Sequence, residues 1–463
     1  MLTLRDISAG TGGIILSGRP ETAFPTISID TRTLAPGDFF FSIKGSFHDG
    51  HDFLRDAREH GACGIATHRD LDDLRLFESI IMVKDTTRAL QELARWVRQK
   101  HTMTIIGITG TTGKTTTKDF TAALLGKKVL KSEDNLNNRY GLPLSLIRCK
   151  GNEAFAVLEM GMSTLGEIRR LCQIASPLVG VVTNISPVHL QTLKTIRNVA
   201  QAKAELLEAL PPEGLAVING DDPWVLKIAR RFRGRTLTYG FGTSNRYRAA
   251  NVRILGEKGM AFTLVCGSRR HQVKAHIIGK HILSNLLAAV AVADGLGVPM
   301  KDILTRIKGL RPANLRGELI KLPGGIRLFN DAYNSNPRAL QAILETLQSF
   351  PCKGRRVLLA GDMLELGEKS KAYHIDMGHM IGKGRISSLV TVGREAVLFA
   401  DGARREGFAG DIHSFRDANE AGNFLRGYLA RGDLLAVKGS RGMALERAID
   451  IIRADAKEAE NHV

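Results

Sequence analysis

The stretch from Gly107 to Thr117, Gly-Ile-Thr-Gly-Thr-Thr-Gly-Lys-Thr-Thr-Thr, constrains this chain more than any other. It follows the apolar run Thr104-Ile105-Ile106 and precedes an apolar-periodic segment that starts at Asp119. This order predicts a strand, a glycine-rich turn and the start of a helix. Backbone N–H groups at such a turn lie at the positive end of the helix, where phosphate oxygens bind well. The stretch therefore predicts a phosphate-binding loop.

The loop is shorter than the usual P-loop, in which four residues separate the first glycine from Gly-Lys-Ser/Thr. Ile108 occupies the position of that first glycine, and the spacing here is Gly110, two residues, then Gly113. An ordinary strand-to-helix turn with two glycines is the alternative, but Gly-Lys-Thr at this junction favours phosphate. We expect Lys114 to contact the outer phosphates and the Thr115 hydroxyl to bind Mg²⁺. The predicted ATP-binding residues of the loop are Gly110, Thr111, Thr112, Gly113, Lys114, Thr115 and Thr116.

Length and composition indicate a multidomain globular protein. A chain of 463 residues is expected to form two to four domains, and its 43% hydrophobic and 24% charged residues are typical of soluble proteins. No apolar run approaches the ~20 residues that a membrane span needs. The amino terminus lacks a basic region followed by an apolar core, so we expect no signal peptide. Five scattered cysteines indicate a reducing cytoplasm.

The formal net charge of +18 admits two interpretations. Such a charge is typical of nucleic-acid binding, but it also suits anionic small substrates or reflects the compositional habit of the source. Lys and Arg are spread along the chain with only short clusters, such as the one at residues 230–233, and no basic motif is interleaved with aromatic residues. We therefore expect no nucleic-acid partner.

Three α/β domains are predicted along the chain. Residues 1–85 form a small unit whose loop at Asp49-Gly-His51 is better suited to ligand contact than to metal. Residues 86–310 alternate strands and helices, which predicts a parallel sheet, with a small antiparallel insert at 246–278. Residues 311–463 resume this alternation as a doubly wound domain.

Two further side chains follow predicted strands of the central domain. Glu159 ends one strand, and His189 comes shortly after the next. Ligand groups sit at the carboxyl ends of such strands, so we expect Glu159 and His189 to meet Thr115.

Several stretches together resemble one family, the Mur ligases of peptidoglycan synthesis. The resemblance covers nearly the whole chain and includes the shortened loop at Thr109–Thr116. Its third-domain motifs are closest to the branch of the family that adds D-alanyl-D-alanine. The stretches that carry it are Ser28–Arg32, Lys44-Gly45, Asp49–Asp52, Asn135–Pro143, Glu159–Ser163, Asn184–His189, Ala202–Glu205, Gly279–Asn285, Arg316-Gly317, Asp331–Pro337, Gly361–Gly367 and Lys438–Gly442.

The resemblance implies a fold and a reaction. The fold is an amino-terminal α/β domain that binds a UDP-sugar, a central P-loop ATPase domain and a carboxyl-terminal Rossmann-like domain. The activity is an ATP-dependent acid–D-amino-acid ligase that joins D-alanyl-D-alanine to UDP-N-acetylmuramoyl-tripeptide through an acyl phosphate, with Mg²⁺ as cofactor. Such an enzyme is expected to be a cytoplasmic monomer that serves cell-wall synthesis, and through it cell shape and division.

The resemblance also implies residue roles. The catalytic residues are expected to be Lys114, Lys203, His189 and Arg316. Metal ligands are expected to be Thr115, Glu159, His189 and Lys203, the lysine as a carbamate because an ammonium group has no acceptor atom. The nucleotide contacts beyond the loop are Asn285, Arg316 and Asp331. The expected UDP-substrate contacts are Ser28, Asp30, Arg32, Lys44, Gly45, Asp49, His51, Asn137, Asn138 and Ser163, and those of D-alanyl-D-alanine are Tyr333, Asn334, Asn336 and Arg441.

Each of these roles has a structural alternative. His189 could cap a loop, Lys203 could be a helix-surface lysine paired with Glu159 or Glu205, and Asn285 could cap a helix. Three alternatives also stand for the function. They are a sister ligase that adds a single amino acid or resembles folylpolyglutamate synthase, a nucleic-acid-dependent P-loop ATPase, and a non-catalytic nucleotide-sugar binder.

Overall fold

Three α/β domains follow one another in the computed structural model, which describes residues 1–45, 47–70 and 72–460. Each domain has its own main sheet, of five, nine and six strands. The predicted three-domain α/β fold is confirmed. Within the described ranges, no helix is long and apolar enough to cross a membrane.

The amino-terminal sheet has the strand order β2-β7-β6-β5-β4, with β2 antiparallel to β7 and the other neighbours parallel. Apolar and polar residues alternate over residues 27–32, which predicts a strand, but β4 ends at Ser28 because the Asp30 carboxylate accepts the N–H of Arg32 and starts a short turn. The elements are β1 Leu2–Thr3, α1 Leu4–Thr11, β2 Ile14–Ser17, β3 Ala23–Phe24, β4 Ile27–Ser28, β5 Phe39–Phe41, α2 Leu54–Glu59, β6 Gly64–Thr67 and β7 Ser79–Met82.

The central sheet has the order β16-β15-β14-β13-β12-β11-β8-β10-β9. Neighbours from β9 to β14 are parallel, whereas β14, β15 and β16 are antiparallel, as the texture of residues 246–278 predicts. The strands are β8 Thr104–Thr109, β9 Val129–Lys131, β10 Phe155–Glu159, β11 Val179–Val182, β12 Leu215–Asn219, β13 Arg235–Gly240, β14 Tyr247–Ile254, β15 Met260–Cys266 and β16 Arg269–Ala275.

Helices cover both faces of this sheet. Its helices are α3 Thr86–Lys100, α4 Lys114–Leu125, α5 Gly141–Ile147, α6 Glu167–Ala175, α7 Leu190–Leu193, α8 Ile196–Glu208, α9 Pro223–Ala229, α10 Lys280–Gly295 and α11 Met300–Ile307. Helices α4, α10 and α11 form one apolar core with the sheet. The core on the other face includes α3 and continues into the amino-terminal domain through Leu4 and Ile7 of α1. Since α3 joins two domains, the domain limits at 85 and 310 stay predictions.

The carboxyl-terminal sheet has the order β17-β18-β22-β19-β20-β21 and is parallel except for β17. Helices α12 to α14 pack on one face and α15 and α16 on the other, which confirms a doubly wound domain. The last three residues of the predicted domain, 461–463, lie outside the described part of the chain. The elements are β17 Glu318–Lys321, β18 Arg327–Asn330, α12 Pro337–Ser349, β19 Arg356–Gly361, α13 Ser370–Gly382, β20 Ser388–Val392, α14 Val397–Arg405, β21 Asp411–Phe415, α15 Ala418–Tyr428, β22 Leu434–Lys438 and α16 Glu446–Glu460.

Two glycines allow α13 and α14 to cross closely. A Cβ on Gly402 would lie 2.2 Å from the Ile375 carbonyl oxygen, and one on Gly378 would lie 2.4 Å from that of Phe399. We expect Gly402→Ala to destabilise the protein by about 1–3 kcal/mol, because the helices must separate. Thermal melting followed by circular dichroism would measure this as a lower melting temperature.

The control is Gly427→Ala on α15, where an added Cβ meets no atom within 4 Å. That change is expected to be neutral or stabilising, since alanine favours helix by up to ~1 kcal/mol over glycine. Equal melting temperatures for the two variants would contradict the close helix crossing.

Candidate active site

The predicted loop joins β8 to α4 at the floor of a cleft of about 1670 Å³. Every residue from Gly110 to Thr116 lines this cleft. Gly113 has a φ of +81°, and a Cβ there would lie 2.3 Å from Oδ1 of the buried Asn285. Only glycine fits both the backbone conformation and the contact. Asn285 thus lies inside α10 against the loop and does not cap that helix.

Lys114 begins α4 and folds back over the loop. Its Nζ donates a hydrogen bond to the Gly110 carbonyl oxygen at 3.0 Å. Burial lowers the pKa of Lys114, the nearby Glu159 carboxylate opposes this shift, and the Arg316 guanidinium adds to it. The loop therefore holds a desolvated amine whose charged form needs an anion.

Glu159 ends β10 opposite Ile108 of β8, and the parallel register brings its side chain to the loop. Its Oε2 accepts from the Thr115 hydroxyl at 2.6 Å, and its Oε1 accepts from Nδ2 of Asn137 at 2.8 Å. The carboxylate is 2% exposed. The structure thus brings Glu159 and Thr115 together, as expected from strand-end placement.

His189 lines the same cleft but has a partner from another domain. Its Nδ1 lies 2.5 Å from Oε2 of Glu365, and this hydrogen bond lowers the pKa of the Glu365 carboxyl group. The N–H of Leu190 also donates to the Glu365 carbonyl oxygen at 3.0 Å. His189 therefore joins the central domain to the carboxyl-terminal domain. Among the described residues, no group of three or more His, Cys, Asp or Glu is arranged to hold a metal.

Lys203 projects from α8 into the cleft and is only 3% exposed. The alternative of a surface lysine paired with Glu159 or Glu205 is wrong, because Lys203 is buried and pairs with neither carboxylate. Glu159 accepts from Thr115 and Asn137, and Glu205 accepts the N–H groups of Gly166 and Arg169. Within the described residues, the Lys203 amine makes no hydrogen bond or ion pair. Burial lowers its pKa well below the ordinary value, and the charge of Lys114 lowers it further. A neutral amine, which is nucleophilic, is thus favoured there.

The carboxyl-terminal domain supplies the opposite wall of the cleft. The Arg316 guanidinium lies 3.6 Å from the Tyr333 ring centre, and Lys438 pairs with the Asp331 carboxylate at 2.7 Å. Arg441 pairs with Glu446 at 2.7 Å. Asn334 and Asn336 also line the cleft, where the Asn336 side chain accepts the N–H of Ala339 and so begins α12.

The predicted amino-terminal contacts lie outside this cleft and are paired among themselves. The Asp30 N–H donates to the Ser28 hydroxyl at 3.1 Å, and the Asp30 carboxylate binds the Arg32 guanidinium at 2.6 Å. Lys44 and Asp49 form a backbone bridge beside Gly45. Asp49 contacts His51 Nδ1 at 2.6 Å, and His51 Nε2 contacts the buried Ser42 hydroxyl at 3.0 Å. In contrast, Asn137, Asn138 and Ser163 line the cleft.

Sequence analysis missed three residues of the site. Asn184 lies in a stretch that carries the family resemblance but has no predicted role, yet its side chain accepts the N–H and hydroxyl of Thr112, both at 3.1 Å, and donates to the Thr112 carbonyl oxygen at 3.0 Å. The sequence signal that could have identified Asn184 is its position shortly after β11, because β11 is the neighbour of β8 in the sheet. Arg338 bonds the buried Asp222 carboxylate at 2.8 Å across the domain boundary. His281 lines the cleft with both ring nitrogens unpartnered among the described residues.

This geometry defines a class of protein: a three-domain P-loop nucleotide-binding protein whose carboxyl-terminal domain closes one side of the nucleotide cleft. Three family models match in order: the Mur ligase family catalytic domain over residues 24–98, the Mur ligase middle domain over 108–293, and the Mur ligase glutamate ligase domain over 315–441. The chain belongs to the Mur ligase family.

Individual relatives agree with this assignment. The chain is 34% identical to a UDP-N-acetylmuramoyl-tripeptide–D-alanyl-D-alanine ligase of Bacillus subtilis, over 98% of each chain. The fold is similar to a crystal structure of MurF from Acinetobacter baumannii, with a TM-score of 0.87, 26% identity and coverage of 97% of this chain and 98% of that one. A MurF ligase from Thermotoga maritima in complex with ADP has a TM-score of 0.82 and 28% identity, over 95% of this chain and 98% of that one.

The Asn184 contacts generate a test of the loop. We expect Asn184→Ala to weaken ATP binding about ten-fold or more, because three hydrogen bonds that fix Thr112 are lost, at about 1 kcal/mol each. Isothermal titration calorimetry would measure the dissociation constant. Asn152→Ala, the same change in an exposed loop, is the control and should bind ATP normally. Unchanged affinity in Asn184→Ala would show that the loop keeps its shape without this brace.

Proposed function

We propose that this chain is an ATP-dependent ligase that joins D-alanyl-D-alanine to UDP-N-acetylmuramoyl-tripeptide and releases ADP and phosphate. The observation that carries the proposal is the meeting, in one cleft, of the phosphate-binding loop with Arg316, Tyr333 and Arg441 of the carboxyl-terminal domain. The names of the relatives support the choice of substrates. The product would be a cell-wall precursor.

The chemistry requires activation, because a carboxylate does not react with an amine directly. A carboxylate oxygen of the tripeptide would attack the γ-phosphorus of ATP, and ADP would leave, giving an acyl phosphate. The amine of D-alanyl-D-alanine would then attack the carbonyl carbon, and phosphate would leave with formation of the amide bond. The first step brings two anions together, so its transition state needs fixed positive charge. Lys114, Arg316 and the loop N–H groups would supply it.

The residues present fit a Mg²⁺ ion. Thr115 and Glu159 offer hard oxygen atoms of the kind that Mg²⁺ takes together with phosphates. When bound, the ion would neutralise phosphate charge. His189 is the weaker candidate, since imidazole is a softer ligand and Glu365 already holds it.

Lys203 is proposed to carry a carbamate. Its neutral amine would add to CO₂ and lose one proton, which turns a group without acceptors into an anionic oxygen ligand. Burial supports this step, because it favours the unprotonated amine. The carbamate would also balance the charge of Lys114 beside it.

The Lys203 proposal makes a spectroscopic prediction. Protein treated with ¹³C-bicarbonate at about pH 7 should show a carbamate carbonyl signal from Lys203, since exposed lysines with a pKa of about 10.4 stay protonated there; any signal of the α-amino group, with a pKa of about 7.7–8.0, is separate and is the same in every variant. Lys203→Ala should abolish the signal, and Lys227→Ala, a change on the short helix α9, should keep it. Absence of the Lys203 signal in the unaltered protein, or its survival in Lys203→Ala, would refute the carbamate.

The remaining roles follow the same arrangement. Asn285, which packs on the loop, would contact adenine, and Asp331 would accept from a ribose hydroxyl after its ion pair with Lys438 opens. Tyr333, Asn334, Asn336 and Arg441 would bind D-alanyl-D-alanine, where Arg441 suits its carboxylate. The UDP group would bind the paired polar residues of the amino-terminal domain. The N-acetylmuramoyl-tripeptide part of the same substrate would extend to Asn137, Asn138 and Ser163. We also propose domain limits of 1–85, 86–310 and 311–463, and a cytoplasmic monomer.

The decisive assay is phosphate release from ATP in the presence of UDP-N-acetylmuramoyl-tripeptide, with and without D-alanyl-D-alanine. Release that requires both substrates, with a pentapeptide product by mass spectrometry, is the expected result. Lys114→Ala should lower the rate by at least about 10²-fold, because the charge that stabilises the transition state is lost.

Other outcomes would assign other functions. Release with a free amino acid in place of the dipeptide would indicate a sister ligase. Release stimulated only by RNA or DNA would indicate a nucleic-acid-dependent ATPase. Tight binding of the nucleotide sugar without release of phosphate would indicate a binding protein.

A further inference from the structure

The net charge of the chain resides in one domain. Residues 86–310 contain 33 Lys and Arg against 15 Asp and Glu, whereas residues 1–85 have 9 against 13 and residues 311–463 have 23 against 19. Within the central domain, residues 223–293 carry 13 Lys and Arg and a single acidic residue, Glu257. Lys280 is the member of this basic group that lines the nucleotide cleft. Phosphate binding in the cleft therefore does not account for the excess.

Part of this charge lies on one face of the antiparallel edge of the central sheet. The strand register places three rows of side chains across β14, β15 and β16 on the same face. We call this surface the basic platform: Arg248–Val265–Arg270, Ala250–Thr263–Gln272 and Arg253–Ala261–Lys274. Four cations thus flank a middle strand whose residues Ala261, Thr263 and Val265 are buried.

The platform faces away from the protein core. The opposite face of the same strands carries Tyr247, Phe262 and Leu264, which pack in the core with α10. Arg253, Arg270 and Lys274 are exposed and Arg248 is half-buried. In the described part of the chain none of the four forms an ion pair, although Arg269, on the same hairpin, pairs with Asp294 at 3.2 Å.

Protection of a sheet edge does not explain the platform. Edge strands commonly carry charged residues that prevent pairing with another sheet, and β16 is the edge strand here. Arg248, however, lies where β14 is paired on both sides, with β13 and with β15, whereas Arg253 lies beyond the pairing with β13. An unpaired cation at such an interior position has no edge to protect and is available to an external anionic partner.

We propose that the basic platform docks this protein on the anionic surface of a phospholipid bilayer. The platform is complementary in charge to anionic phospholipid headgroups, because its four cations have no ion-pair partner among the described residues. It carries no aromatic side chain, whereas sheet surfaces that bind single-stranded nucleic acid stack bases on aromatic rings. Each cation near an anionic leaflet strengthens binding about five-fold, and the attraction falls off within a Debye length. Docking is therefore reversible and sensitive to salt. The inference does not rest on the proposed ligase activity.

Vesicle co-sedimentation tests this inference. The full-length protein should bind vesicles of phosphatidylcholine with about one-third phosphatidylglycerol, should not bind phosphatidylcholine alone, and should dissociate in about 0.5 M salt, where the Debye length is short. The variant R248E/R253E/R270E/K274E should bind the anionic vesicles at least about 100-fold more weakly. The variant with glutamines at the same four positions, which conserves side-chain length better, should also lose binding.

The matched control is K353E/R405E/R416E/R431E, which changes the net charge equally at four exposed positions of the carboxyl-terminal domain. It should keep most of its vesicle binding. Failure of the unaltered protein to bind anionic vesicles, or equal losses in the two sets of variants, would overturn the proposal. Binding of single-stranded RNA, without binding of vesicles, would make the platform a nucleic-acid surface instead. Ligase activity measured without vesicles should be the same in all variants. A loss of vesicle binding can therefore be distinguished from a failure of the proposed ligase function.

Discussion

The excess of buried positive charge in the cleft is the constraint on which the rest of the site depends. Lys114 and Lys203 are both desolvated there, and Glu159, which already accepts two hydrogen bonds, is the carboxylate nearest the loop. An unpaired buried charge costs free energy, so these amines either lose their protons or gain an anion. A polyphosphate supplies that anion at the loop, and a carbamate would supply it at Lys203. The cost of burying these amines therefore favours the binding of an anion in the cleft.

The carboxyl-terminal domain contributes further charged groups to the same cleft. Arg316 adds a third cation to the cleft. Its guanidinium lies on the Tyr333 ring, which stabilises a cation without neutralising it. Asp331 and Lys438 neutralise each other, and Arg441 is paired with Glu446. These ion pairs hold the charged side chains of the wall in defined positions. A bound substrate has only to exchange partners with them, which costs less than ordering free side chains.

Local sequence patterns predicted the parts of this structure that are local. The loop between β8 and α4, the acidic end of β10 and the antiparallel edge at 246–278 all follow from periodicity and spacing. The pattern failed where partners come from distant segments. It did not predict the bond of His189 to Glu365, or that of Arg338 to Asp222, 116 residues away. It also predicted a strand that continues past Ser28, because the apolar and polar alternation gives no information about the hydrogen bond from the Arg32 N–H to the Asp30 side chain, which favours a turn there.

Asp222 shows how the distant contacts serve the site. Its carboxylate, 1% exposed, accepts the N–H groups that begin α9, the N–H of Ile185 and the guanidinium of Arg338. Ile185 adjoins Asn184, which fixes Thr112 of the phosphate loop. A continuous series of hydrogen bonds therefore runs from α12 of the third domain to the loop. Removing a partner from such a buried carboxylate is costly, so the third domain and the loop are held in one relative position. The residues that bind nucleotide and those that face the second substrate are thereby placed by the same buried charge.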